Sequence, residues 1–295
     1  MNDDEIVYYV DKHGDKIKKI LLNEFNFSKR LIKKIEDEGN IFLNDKMVKS
    51  DKNTYEGDVL RIEFEDEENI YEEGCQDVEV LFENRDFLAV NKPPYMITHP
   101  SKFIRKDTLA NGIVRYYKLK NIKRKIRFIN RLDMNTSGVV LIAKNSYAHS
   151  RIMDQMNENK VAKKYIALVK GSLEKEEGTV DKSIGLEENE KIKRSINKKG
   201  KYAITNYKLV EKYKYNVSFV ELELLTGRTH QIRVHMASIE NPVLGDVLYG
   251  EKSEFIDRQA LHCSEMTFKD IRNGNTISVK AQVPEDFLKI MDNRI

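Results

Sequence analysis

Asp133 sits in the stretch NRLDMNTSGVVLIAKN, residues 130–145, two positions after Arg131 and just ahead of an apolar run. Val139 to Ala143 reads as a buried strand, and TSG as the tight turn leading into it. A carboxylate at the mouth of a buried strand is either a satisfied ion pair or a reagent, and the residues alone leave both readings open. Groups of matching chemistry lie elsewhere: Tyr165 in KKYIALVKG, and Arg228 and Arg233 in TGRTHQIRVH. An acid, an aromatic ring and arginines can carry charge, stack on a base and pair with anions.

Other chemistries lack their residues. No GxGxxG follows a strand, and the GK at Gly200 is followed by Tyr202, so no phosphate loop is built and no nucleotide cofactor is expected. His230 and His235 are five positions apart, which on a helix turns the second side chain roughly 140° from the first. Such a pair is unsuited to clamp one metal ion. The expectation is no metal and no cofactor, with these histidines orienting and hydrogen-bonding their neighbours.

The elements that position these groups are bounded first by size and charge. The 295 residues allow about two domains, each with its own core. There are 51 Lys and Arg against 48 Asp and Glu, and a net charge of +3 is too small to announce a partner. Two distant cysteines, Cys75 and Cys263, argue for a reducing compartment and against a disulfide framework. The start MNDDEIVYYV has no apolar h-region, and no stretch approaches the length of a membrane span, so a soluble cytoplasmic protein is expected.

Between Lys16 and Gly39 the apolar residues Ile17, Ile20, Leu21 and Phe25, then Leu31, Ile32 and Ile35, recur at helical spacing, with Ser28 as N-cap and Gly39 as the stop. NIFLNDKMV and DVLRIEF follow as short strands, closing a compact unit near residue 64. EDEENIYEE then carries six acids in nine residues, and residues 65–77 read as a linker that lets the small unit move. From residue 78 onward VEVLFENRDFLAVNK, VVLIAK, KYIALVKG, NVSFVELELLTG and NTISVKAQV suit strands, and helical periodicity is clear near 108–118 and 146–157. Strands without regular helix alternation predict an α+β domain on a mixed, largely antiparallel sheet over 78–295, plus a small α/β unit over 1–64.

Two basic tracts lie in the larger part. Arg115 to Arg131 holds eight Lys or Arg and no acid, among them Lys123, Arg124 and Lys125, interleaved with Tyr116, Tyr117 and Phe128. Lys191 to Tyr202 holds six and again no acid. Both tracts near one candidate site favour a polyanion, and RNA backbone contacts are expected at Lys123, Arg124 and Lys125.

Six motifs in order give the site a family. RLDMNTSG, together with AVNKPPYMITHPS, KKYIALVKG, AITNY, TGRTHQIRVHMASIENPVLGDVLYG and RQALH, resembles the RluA type of pseudouridine synthase from about residue 78 to 290. SKRLIKKIEDEGNIFLNDK followed by YEGDVL resembles the alpha-L RNA-binding module of a ribosomal small-subunit protein, with SKR and LND where SR and VNG are usual. The second resemblance implies that Lys29, Arg30, Lys33 and Lys34 grip RNA backbone.

The first implies that Asp133 is the catalytic aspartate, attacking or deprotonating the target ribose as the glycosidic bond is cleaved. It implies that Tyr165 packs against the flipped uracil and takes part in removing the carbon-5 proton, that Arg233 pairs with Asp133, and that Arg131 fills the gap left in the RNA stack. The matching motifs also mark Asn130, Thr136, Arg228, Thr229, His230, Gln231 and Lys92 as substrate-binding. Two departures stand out: Asn130 occupies the position before RLD where His is usual, and Tyr95 stands where the KPxG turn has glycine.

The chemistry fits. Detaching, rotating and rejoining a base exchanges no group with a second substrate, and a neighbouring guanidinium favours the ionised carboxyl the step needs. The expected activity is isomerisation of uridines in structured RNA, with large-subunit ribosomal RNA as target and the protein a monomer away from membranes. Two readings from other classes share these residues: a non-catalytic RNA binder that keeps the fold, and a glycosylase that releases free uracil.

Overall fold

The computed structural model describes residues 5–11, 14–64, 68–101 and 106–292. The small unit runs β1 (Glu5–Tyr9), α1 (Ile17–Asn23), α2 (Lys29–Asp37), β2 (Ile41–Leu43), β3 (Lys46–Met47) and β4 (Val59–Glu63). Its strands form an antiparallel sheet in the order β1-β4-β2-β3. Ser28 caps α2 by accepting the Leu31 N–H at 3.1 Å, and Gly39, at φ 74°, takes the left-handed conformation that ends it. Ile17, Ile20, Leu21, Leu31, Ile32 and Ile35 turn one face of the helix pair inward. Lys29, Arg30, Lys33 and Lys34 are left on the exposed face, with Lys34 3.5 Å from Glu38. Strand β1 is invisible in the acidic start of the chain; Ile6 is its only fully buried side chain, and pairing with β4 supplies the rest.

The larger part continues with β5 (Glu79–Glu83), β6 (Phe87–Lys92), α3 (Leu109–Leu119), β7 (Arg127–Phe128), β8 (Ser137–Ala143), α4 (Ser146–Asn157) and β9 (Ala162–Lys170). Then come β10 (Glu177–Asp181), β11 (Ile184–Leu186), β12 (Arg194–Ile196), β13 (Ile204–Tyr213) and β14 (Val217–Leu224). The chain ends in α5 (Gln231–Ala237), β15 (Leu261–Lys269), β16 (Thr276–Lys280) and α6 (Glu285–Asp292). One large sheet runs β10-β13-β14-β9-β15-β8-β6-β5, with β16 added to β15 and β7 to β8, and β11 and β12 form a separate hairpin. The β15–β8 pair is parallel and its neighbours are antiparallel, as expected of a mixed, largely antiparallel sheet.

That parallel contact sets the middle of the molecule. A Cβ on Gly138 would lie 2.2 Å from the Cys263 carbonyl oxygen, and Gly138 has φ 113°, so only glycine lets β8 enter the sheet beside β15. Every residue of β8 is buried, which is why VVLIA reads as a continuous apolar run rather than an alternating one.

The acidic segment is not a free tether. Residues 65–67 of the expected linker lie outside the described residues, but the stretch from 68 onward is strapped to the larger part. Asn69 donates to the Arg124 carbonyl at 2.6 Å and accepts the Ile126 N–H at 2.8 Å. Glu73 pairs with Lys118 at 2.7 Å and Asp77 with Arg115 at 3.1 Å. Opposite charge along α3 explains the docking, which composition alone reads as disorder. The small unit also has a seat: Tyr147 at the start of α4 lies with its ring 5.1 Å from Phe27 and 6.1 Å from Phe64, and Arg272 donates to the Glu5 carbonyl at 3.2 Å. No helix among the described residues is long and apolar enough to cross a membrane.

Candidate active site

Asp133 stands in the loop that feeds β8, and almost every backbone group around it is held. Thr98 donates to the Leu132 carbonyl at 3.2 Å, Lys92 to that of Met134 at 3.0 Å and Arg258 to that of Asn135 at 3.1 Å. The Thr136 N–H closes the turn on the Asp133 carbonyl at 3.1 Å, and Gln259 donates to Thr136 Oγ1 at 3.3 Å. On the incoming side, the Asn130 amide donates to the Val139 carbonyl at 3.0 Å and accepts the Leu141 N–H at 2.8 Å. A loop clamped in this way fixes the carboxylate direction before any ligand arrives.

The carboxylate itself is 28% exposed. Arg233, projecting from α5, donates Nη1 to Asp133 Oδ2 at 3.1 Å. The same guanidinium is gripped from behind by Asp246, with Nε to Oδ2 at 2.7 Å and Nη2 to Oδ1 at 2.8 Å. Burial works against the Arg233 charge, but the hydrogen bonds and fields of Asp246 and Asp133 outweigh it and hold the group charged. Asp246 also accepts the Leu248 N–H at 3.0 Å, so the acid that orients the arginine is itself fixed. His230 brings Nε2 to 3.9 Å from Asp133 Oδ2, and burial lowers its pKa while the Asp133 charge opposes the shift.

Tyr165 on β9 is 6% exposed and packs in the central core. Burial, then the neighbouring Cys263, raise its phenol well above the ordinary value, and burial pushes the Cys263 thiol up to about 12. The phenol therefore keeps its proton at neutral pH. In the RNA-free protein Tyr165 presents its ring as a packing surface in the central core.

The remaining sequence candidates divide by accessibility. Arg131, Arg228 and Thr229 are exposed at the site, with Arg228 Nε donating to the Tyr202 carbonyl at 2.9 Å. Lys92 is fully buried, and its Nζ donates to the carbonyls of Pro93, Met96 and Met134 at 2.8, 2.8 and 3.0 Å. Burial pulls its pKa down to about 7, yet three acceptors require three N–H groups, which only the ammonium form supplies. Lys92 thus braces the loop that carries Asp133. Gln231 and Thr136 are buried as well; Gln231 is spent on Thr226, Thr205, Arg228 and the Ile204 carbonyl. Asn130 is likewise committed to β8.

Arg124 is 5% exposed and so presents no open guanidinium to a phosphate, while Lys123 and Lys125 retain exposed or half-exposed positions. His235 is buried with Nδ1 on Thr205 Oγ1 and Nε2 on the Lys182 carbonyl, both at 2.9 Å, and so has no nitrogen left for a metal. Among the described residues no three His, Cys, Asp or Glu side chains converge as a metal site.

Sequence reasoning passed over Asp246, Arg258 and Tyr249. Arg258 is buried, binds Asp286 through two bonds at 2.6 and 2.9 Å, and sends Nη1 to the Asp133 loop. An arginine in RQALH and an acid in VLGDVLYG were the signals available. A concavity of about 640 Å³ runs over β9, β14, β13 and β10, with Tyr165 among its lining residues. Its lining sets Glu177, Glu221, Glu223 and Glu265 against Lys164 and Lys208, which disfavours a polyanion there.

A clamped carboxylate is thus paired with an arginine that a second, buried carboxylate anchors. The family described as RNA pseudouridylate synthase matches residues 86–238, and this chain belongs to it and is a pseudouridine synthase acting on RNA. The uncharacterized RNA pseudouridine synthase YlyB of Bacillus subtilis is 31% identical over 300 residues, covering 99% of this chain and 98% of that protein. Ribosomal large subunit pseudouridine synthase D of Vibrio cholerae is 30% identical over 281 residues, 90% of this chain and 86% of that protein. The solved structure of human RNA pseudouridylate synthase domain containing 1 superposes with a TM-score of 0.61 at 29% identity, covering 76% of this chain and 90% of that one.

Proposed function

We propose that this chain isomerises uridines of large-subunit ribosomal RNA, with Asp133 as the catalytic carboxylate acting on a nucleotide turned out of its stack. The observation that carries the reading is the Asp133–Arg233–Asp246 chain: an accessible carboxylate held by a charge that a second, buried carboxylate orients. In the reaction the N1–C1′ bond of uridine breaks, the base rotates while held, and a C5–C1′ bond forms. The proton on carbon 5 leaves and one proton is gained at N1, so atoms balance without a co-reactant. Asp133 takes the developing charge at the ribose, by attack or by proton removal, and Arg233 keeps it aimed.

Turning the base out costs a few kcal/mol. Arg131, exposed two residues before Asp133, offsets part of that cost by occupying the gap, and Tyr165 packs against the extruded ring. Arg228, Thr229 and His230 lie on the α5 side of the site and seat the nucleotide. Residues 1–64 serve as an alpha-L type grip through Lys29, Arg30, Lys33 and Lys34, and Lys123 and Lys125 extend the phosphate track on the 78–295 part. The name of the Vibrio cholerae relative, a ribosomal large subunit pseudouridine synthase, supports the ribosomal target.

The test is a map of pseudouridine across the RNA of a strain lacking this gene. Loss of one or more pseudouridines in large-subunit ribosomal RNA, restored by the wild-type gene and not by Asp133→Asn, is the expected result. An unchanged ribosomal map with losses confined to transfer RNA would overturn the target.

A further inference from the structure

Tyr249 touches three groups that surround Asp133 without itself reaching the carboxylate. Its ring stands edge-on to His230, centroids 5.6 Å apart at 74°, and lies 5.0 Å from the guanidinium carbon of Arg233. Its main-chain N–H donates to Asp246 Oδ1 at 3.3 Å, so one acid anchors both the arginine and the tyrosine. Its hydroxyl accepts the backbone N–H of Arg194, in the β11–β12 hairpin, at 2.8 Å and lies 2.8 Å from His230 Nδ1.

These contacts decide a proton. A phenol has one proton to give and two lone pairs to accept with; the Arg194 N–H takes one lone pair, and the Asp133 carboxylate beside Nε2 favours a proton on that nitrogen over one on Nδ1. The phenol proton then goes to Nδ1, which must present its lone pair. Burial lowers the His230 pKa, so the ring is neutral at pH 7 and carries a single N–H. That proton is left on Nε2, the nitrogen 3.9 Å from Asp133 Oδ2. The other tautomer would aim a lone pair at a carboxylate and leave the phenol proton without this acceptor.

We infer that Tyr249 is a positioning residue: it fixes His230 as the Nε2–H tautomer facing Asp133, using the β11–β12 hairpin as its anchor. The inference rests on Asp133 being the catalytic carboxylate. It gives the hairpin, whose surroundings include the basic tract 191–202, a second task beyond charge. Seating RNA there steadies the Arg194 N–H, and through Tyr249 steadies the donor beside the reacting acid. At 3.9 Å the His230–Asp133 contact is long, in keeping with catalytic hydrogen bonds that tighten only when substrate is bound.

Tyr249→Phe keeps the ring over Arg233 and removes only the hydroxyl. The spectrum of protein labelled with nitrogen-15 histidine, with the His230 signals assigned by difference from His230→Gln, reads the tautomer directly. The wild type is expected to show Nε2–H, and Tyr249→Phe a mixture. With RNA substrate, kcat in the variant is expected to fall about tenfold, equivalent to roughly 1.4 kcal/mol, while KM and melting temperature hold. A wild-type spectrum showing Nδ1–H overturns the inference, even if the variant fails to fold. So does full kcat in Tyr249→Phe when Asp133→Asn is inactive. Turnover by Asp133→Asn would instead sink the catalytic reading, and the spectrum would still judge the tautomer separately.

Discussion

The loop at 130–136 and the helix α2 are both polar segments of this chain, and they are built in opposite ways. Around Asp133 the carbonyls of Leu132, Met134 and Asn135 are each taken by a side chain from a different part of the fold, Thr98, Lys92 and Arg258. On α2 the cations Lys29, Arg30, Lys33 and Lys34 stand exposed, with Lys34 in a surface pairing to Glu38. The difference follows from the work each would do. Chemistry at one ribose needs a carboxylate whose direction is fixed beforehand, whereas contact with phosphates needs cations that stay in water and release counterions.

The comparison breaks first where the clamp is deepest. Asp246→Asn leaves the buried Arg233 with a weakened partner and should cost ~3–5 kcal/mol, since an uncompensated buried charge is expensive. For a chain of this size that is a fall of about 10 °C in melting temperature, read by calorimetry, with turnover lost as well. A variant as stable as wild type would show that Arg233 does not depend on its rear anchor.

Lys92→Met comes next. It removes the donor to three buried carbonyls while keeping an unbranched side chain, and should cost roughly 2–4 kcal/mol and lower kcat more than tenfold. Denaturant melts and single-turnover kinetics on the same preparation check both. If KM for RNA rose instead, with kcat unchanged, Lys92 would be a substrate contact after all.

The smallest structural effect belongs to α2. Changing Lys29, Arg30, Lys33 and Lys34 together to Gln should leave stability within about 0.5 kcal/mol, as solvated surface changes do. The slope of log affinity against log salt should flatten by up to about 3.6 on duplex RNA, about 0.9 per phosphate contact. Turnover on a short saturating substrate should persist. An unchanged slope would remove α2 from the RNA interface.

What the sequence discloses divides along the same line. Helices α2, α3 and α4, the β8 run and the Ser28 cap are written in local spacing, and the ordered motifs of the larger part bring Asp133, Tyr165 and Arg233 forward together. The clamp is not written locally. Nothing near Lys92 says that its ammonium reaches the Met134 carbonyl, and nothing near Asp246 says that it will orient an arginine thirteen residues away in the chain. Buried polar residues look the same in sequence whether they bind substrate or brace a loop, and nothing local to Lys92, Thr136, Gln231 or Asn130 discloses the bonds they make in the fold. The docking of residues 68–77 escaped for a related reason: a run of acids reads as a tether until the cations of α3 are set against it.

If Asp133 performs the chemistry and does not merely complete an ion pair, its charge is what turnover needs. Asp133→Asn preserves shape and can still accept from Arg233, but removes the charge. Its measure is tritium released from RNA labelled at carbon 5 of uridine, beside a binding curve for the same protein. Release is expected to disappear while RNA affinity stays within about twofold of wild type or tightens, as repulsion from phosphate is lost. A folded Asp133→Asn protein releasing tritium at the wild-type rate would contradict that role for Asp133.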